Sequence, residues 1–184
     1  MTADGAAQSP APQLTRVLGV SVALPEPFGS ELRAFRERLG DPDVDTVPTH
    51  VTLLPPTTVD HVLLTEIHAH LAATAAKTDP FRIRLRGSGS FRPVSPVVFV
   101  ALAEGIGACE MLETRVRAGV LWRPVIFPYH PHVTIARDLT AAELDSALED
   151  LADYCADFTV DRFVLYQHLD GVWVPDREFV LGSG

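Results

Sequence analysis

Polar and apolar residues alternate strictly in two short segments, His50-Val51-Thr52-Leu53 and His132-Val133-Thr134-Ile135, which stand 82 residues apart. Successive side chains of a β-strand point to opposite faces. Each segment therefore predicts a strand with its aliphatic residues on a core face and its His and Thr on the other. Around the first segment, an apolar run predicts a strand over 14–24, ended by Pro25 and Pro27. A helix over 28–39 follows, stopped by Gly40 and Pro42. The first motif's strand is expected over 48–54, because Pro55-Pro56 withholds two ladder donors. Apolar steps of four at Leu63, Ile67 and Leu71 predict a helix over 58–76, and a strand over 81–91 comes next.

The second half repeats that order. A strand is expected over 96–103, a helix over 106–120, and a Pro-rich loop over 122–131 before the second motif. Thr140 and Glu143 form a capping box that opens a helix running to Tyr154. Strands over 158–167 and 172–181 close the chain, joined by a turn at Asp170-Gly171. Even the opening strands of the halves are alike, VLGVSVAL beside VVFVALAE. The repetition predicts an α+β, bilobal fold of two pseudo-symmetric lobes, each with an antiparallel sheet and helices. The lobes are expected near 14–92 and 93–184 of one domain spanning 14–184, with strand exchange between them allowed. The two His-x-Thr strands would line a central cleft, a natural place for a ligand.

Composition narrows the class. Of 184 residues 47% are hydrophobic, enough for a core, and no apolar run is long enough for a membrane helix. Met1 to Gln13 is rich in Ala, Pro, Gln and Ser and lacks the pattern of a signal peptide, so it reads as a disordered leader. Cys109 and Cys155 are too few for a disulfide framework, and a cytoplasmic protein is expected. The net charge of −9 falls mostly on residues 93–184, which carry 6 basic and 14 acidic side chains. Such a surface repels duplex DNA and long RNA, and leaves small phosphate esters or nucleic-acid ends as candidate ligands.

Two imidazoles and two hydroxyls facing one ligand suit a phosphodiester. One His can act as base and the other as acid, since imidazole titrates near neutral pH. Thr52 and Thr134 can donate hydrogen bonds to the non-bridging oxygens. A metal alternative uses His130, His132 and His50 as three zinc ligands, but the Thr partners suit an anion better. His61, His68, His70 and His168 read as structural. Arg82, Arg84 and Arg86 share a strand face and read as a solvated edge, with an anion-attracting rim as the functional alternative. Tyr129, Phe127, Tyr166 and Trp173 are candidates to stack a base or simply to pack.

The two motifs, their separation and the order of elements resemble the two-histidine phosphoesterases, and within them the 2′-5′ RNA ligase-like and cyclic phosphodiesterase proteins. The stretch Pro131-His132-Val133-Thr134-Ile135-Ala136-Arg137 is especially similar to that family. The first motif continues as Leu54-Pro55-Pro56-Thr57-Thr58, which looks more like the broader branch than the ligase proper. The resemblance implies a concave sheet lined by both motifs and metal-free chemistry on 2′,3′-cyclic or 2′-5′ phosphodiesters, without a cofactor. It implies His50 and His132 as the catalytic pair and Thr52 and Thr134 as the phosphate-binding pair. Arg137, Tyr129 and Arg92 are further candidate substrate contacts. By strand parity Arg137 falls opposite His132, so it would support the sheet or reach round the strand end. The expected partner is a small nucleotide or RNA end bound by a monomer, with no duplex DNA and no membrane. The competing reading is a binding module that recognises the same ligands without chemistry.

Overall fold

The computed structural model describes residues 14–41 and 43–182, so the Met1 to Gln13 leader lies outside the described residues. Eight strands and four α-helices follow in the order β1 (Thr15–Ala23), α1 (Phe28–Arg38), β2 (His50–Asp60), α2 (Leu64–Ala76), β3 (Phe81–Ser90), β4 (Val97–Glu104), α3 (Ile106–Val116), β5 (His132–Arg137), α4 (Ala141–Asp150), β6 (Cys155–Val160), β7 (Arg162–Leu169) and β8 (Val172–Val180). The fold is α+β. All eight strands join one antiparallel sheet in the order β6-β3-β4-β5-β2-β1-β7-β8.

The two motif strands lie side by side at the centre of that order. They are joined by a single paired position, Val51 opposite Val133. β1 flanks β2 on one side and β4 flanks β5 on the other, so the two motifs occupy matching places. Each side of the sheet draws on both halves of the chain: β3 crosses to lie against β4, and β7 and β8 return to lie outside β1. The helices cross as well, with α1 packing on β5 and α3 on β2. They bury one face of the sheet in a single core. Val51, Leu53, Val133 and Ile135 from the motif strands meet Leu32 of α1, Ile67 and Leu71 of α2, Leu112 of α3 and Leu144 of α4 there.

Several elements depart from expectation for physical reasons. β2 does not stop at the prolines but runs on to Asp60. The pairing with β1 steps from Leu18 opposite Thr57 to Val20 opposite Leu54, so β2 carries an extra residue at Pro55-Pro56. A bulge leaves residues out of the ladder, which is where missing N–H donors cost least. The helix expected over 58–76 consequently begins later, with a 3₁₀ turn over His61–Leu63 and then α2. The strand expected over 158–167 is two strands, β6 and β7, divided at Asp161. Because β6 pairs with β3, the Arg82/Arg84/Arg86 strand is interior to the sheet rather than an edge. Asp157 of β6 binds both Arg82 and Arg84, and Glu104 binds Arg84. The capping box of Thr140 and Glu143 is present, though its helix ends at Asp150. The β7–β8 turn has positive φ at both Asp170 and Gly171, the backbone that an Asp-Gly hairpin turn requires. Among the described residues, no helix is long and apolar enough to cross a membrane.

Candidate active site

A cleft of about 440 Å³ opens on the sheet face away from the helices. That size is within the range of small-molecule sites. His50, Thr52, His132 and Thr134 all line it. Their strand neighbours Val51, Leu53, Val133 and Ile135 are at most 1% exposed. The alternation of each motif thus divides its residues between core and cleft.

The two imidazoles are held in the same way. His50 Nδ1 lies 2.6 Å from the carbonyl of Pro48, and His132 Nδ1 lies 2.6 Å from the carbonyl of His130. A carbonyl only accepts, so in each ring Nδ1 carries the proton and Nε2 is left for the cleft. At His50, Nε2 is 3.0 Å from the Thr52 hydroxyl, which donates to it when the ring is neutral. Burial holds both imidazoles below their ordinary pKa, and the Pro48 and His130 carbonyls oppose that shift. The nearby positive charge of Arg36 and the ring of His132 lower His50 further, while His130 does the same to His132. The His132 ring is also wedged edge-on against Phe91, 4.9 Å between centroids at 87°, and lies 5.2 Å from Phe99.

Arg137 lines the cleft, against the parity of a regular strand. β5 pairs Thr134 with Phe99 and Ala136 with Val98, two steps on β5 for one on β4. Ile135 is therefore the extra residue of a β-bulge. Ile135 and Ala136 both turn inward, 0% and 1% exposed, and the next side chain returns to the face of Thr134. Bulges re-aim side chains in this way. The Arg137 guanidinium is paired with Asp43, in the loop between α1 and β2.

The other two candidates lie elsewhere. Arg92 is not among the lining residues; its guanidinium binds Asp145 of α4 at 2.7 Å. Tyr129 is also outside the lining, and its hydroxyl donates to the backbone carbonyl of Thr52 at 2.8 Å. Burial pushes that phenol far above its usual range, so it stays a donor and fixes the strand that carries Thr52. His130, His132 and His50 do not form a metal cage: among the described residues, no group of three or more His, Cys, Asp or Glu side chains is placed to hold an ion. His68 binds Asp176 at 2.6 Å and His70 binds the carbonyl of Val116 at 3.0 Å, which ties α2 to β8 and to the end of α3.

The cleft also contains Arg36, Phe91 and Ser95, which sequence reasoning passed over, and the Tyr166 and Trp173 that it named as candidates to stack or pack. Arg36 of α1 is 5% exposed and binds both Asp41 and the Val47 carbonyl at 2.7 Å. A cation one turn after Leu32 on the apolar face of a helix was the available signal. Phe91 and Ser95 line one end, and Tyr166 and Trp173 the other. Gly19 makes room for Trp173, because a Cβ there would stand 3.2 Å from the indole ring.

The model of the 2′-5′ RNA ligase superfamily matches residues 24–172. A protein of Bacillus thuringiensis (strain Al Hakam), provisionally named a phosphoesterase, is 30% identical over 170 residues, 91% of this chain and 98% of its own length. A similarly named protein of Geobacillus kaustophilus (strain HTA426) is 29% identical over 90% of this chain and 96% of its own. Among solved structures, E. coli LigT in apo form superposes with a TM-score of 0.65 at 20% identity, covering 91% of this chain and 98% of that one. LigT complexed with 3′-AMP gives 0.60 at 18% identity, covering 91% and 99%. With the paired motifs on the central strands and the matching family model, the chain belongs to the 2′-5′ RNA ligase superfamily of two-histidine phosphoesterases.

Proposed function

We propose that this protein is a phosphoesterase that opens, or in reverse forms, 2′,3′-cyclic or 2′-5′ phosphodiesters of nucleotides or RNA ends by paired-histidine acid–base catalysis without a metal. The observation that carries this reading is the shared tether of the two rings: each has Nδ1–H on the carbonyl two residues upstream, and both line one cleft. Family membership supports it, and the complexes of LigT with small nucleotides support a ligand of that size. We assign His50 as base and His132 as acid, because the charge of Arg36 favours neutral His50. His50 Nε2 takes a proton from water as the oxygen attacks phosphorus. The bond from phosphorus to one ribose oxygen breaks, and His132 Nε2–H protonates that oxygen. The bound phosphate anion supplies the field that keeps His132 protonated. Thr52, Thr134 and Arg137 hold the non-bridging oxygens. With a 5′-hydroxyl in place of water and the roles reversed, the same groups join two ends. The protein acts as a cytoplasmic monomer on this reading.

The test is turnover of the four 2′,3′-cyclic mononucleotides in EDTA by wild type, His50→Ala and His132→Ala. Wild-type turnover is expected, with each variant slower by roughly 10²–10⁴-fold and the fold retained by circular dichroism. Full activity in both variants would overturn the site. Binding without turnover across the panel would favour a binding module.

A further inference from the structure

Two arginines line the cleft, and they are held very differently. Arg36 is buried and committed, with Nε on Asp41 and Nη1 on the Val47 carbonyl. Arg137 is half exposed, its side chain 48% accessible, and it pairs with the Asp43 carboxylate, itself 38% accessible. The loop bearing Asp43 is fastened on both sides. Asp41 is tied to Arg36, Asp45 to Arg33 at 2.5 Å, and the Thr46 carbonyl accepts from the Trp173 N–H at 3.4 Å. The Asp43 carbonyl accepts from the Val47 N–H at 2.8 Å. The Asp43 side chain can therefore leave Arg137 while its backbone stays in place. An ion pair this exposed is weak, and a phosphate presents a charge and paired oxygens that suit a guanidinium better.

We propose that Asp43 is a specificity-determining residue of this site, a carboxylate that competes with the ligand's phosphate for Arg137. The proposal rests on the phosphoesterase reading for its biological meaning. In the free protein Asp43 is paired with the guanidinium. A phosphodiester that also engages both histidines and both threonines displaces it, and a simple anion that lacks those contacts does so less well. The competition matters most after the reaction. Ring opening turns a monoanionic diester into a monoester that gains a second charge near pH 6, and this product would otherwise grip Arg137 more tightly than substrate does. Return of Asp43 favours its release.

The measurement is binding of inorganic phosphate by calorimetry to wild type, Asp43→Asn, Arg137→Gln and the double variant, at low salt and in 1 M NaCl. Asp43→Asn is expected to bind phosphate roughly two- to fivefold more tightly at low salt, with the gain shrinking in 1 M NaCl. The gain is expected to vanish in the Arg137→Gln background. Asp43→Ala, made alongside, should show the same gain. Unchanged, weaker or undetectable binding by the folded Asp43 variants would overturn the proposal, as would a gain that persists without Arg137. Turnover of cyclic nucleotides by wild type is scored separately. Its absence would sink the phosphoesterase reading, while the competition at Arg137 stands or falls on phosphate binding alone.

Discussion

At His50 and His132 one ring nitrogen is fixed to the backbone and the other left for the ligand. The fixed tautomer removes a choice that a free imidazole would otherwise have to make when a ligand arrives. Burial sets the direction of the pH response. Both rings lie below the ordinary imidazole value in the free protein, which is near 6.5. The proposed hydrolysis needs His50 neutral and His132 protonated, so on that reading both limbs of the kcat/KM profile belong on the acid side of about 6.5. A bound phosphate anion stabilises either imidazolium, so the kcat profile should sit at higher pH than the kcat/KM profile. Steady-state rates on a 2′,3′-cyclic nucleotide between pH 4.5 and 9 check this. A kcat/KM maximum above pH 7 would contradict the role given to burial. Residues at this scale were legible in the chain where alternation carried them: His50, Thr52, His132 and Thr134 share a cleft because every second residue of a strand shares a face.

Among the elements, the bulges mark where that legibility ends. Ile135 looks like one more aliphatic residue of an alternating strand, yet its doubling against β4 moves Arg137 from the core side to the cleft. Nothing in the residues 132–137 themselves distinguishes the two outcomes, because the bulge depends on which strand β5 pairs with. The same applies at Pro55-Pro56, where local chemistry argues for a stop and the ladder to β1 absorbs the gap. Arg36 and Phe91 were hidden for a related reason: one comes from α1 and the other from just past β3, and the fold alone brings them to the cleft. The division of β6 from β7 hangs on Asp161 within a run of strand-forming residues, a weak signal beside a Gly or Pro. The bulge residue is also a packing residue, fully buried between the sheet and the helices. Ile135→Ala should lower stability by about 2–5 kcal/mol, read from the midpoint shift in urea denaturation. A loss under about 1 kcal/mol would show that the bulge is not anchored by this side chain.

Across the whole molecule, chain order and spatial order differ. β3 belongs to the sheet's second-motif side, and β7 and β8 to its first-motif side, although sequence places them in the opposite halves. Cut at residue 92, neither piece would hold all four strands of either side. Residues 14–92 and 93–184 expressed separately should each lack cooperative unfolding, and mixing them should restore it along with phosphate binding. A cooperative thermal transition in either piece alone would contradict this. The exchange also has a consequence for biosynthesis. Both His-x-Thr motifs leave the ribosome well before β7 and β8, which supply Tyr166 and Trp173 at one end of the cleft and cover the open edge of β1. A nascent chain that has exposed His50 and His132 is still one wall short of the cleft, so the site is complete only once the β7–β8 hairpin has been made.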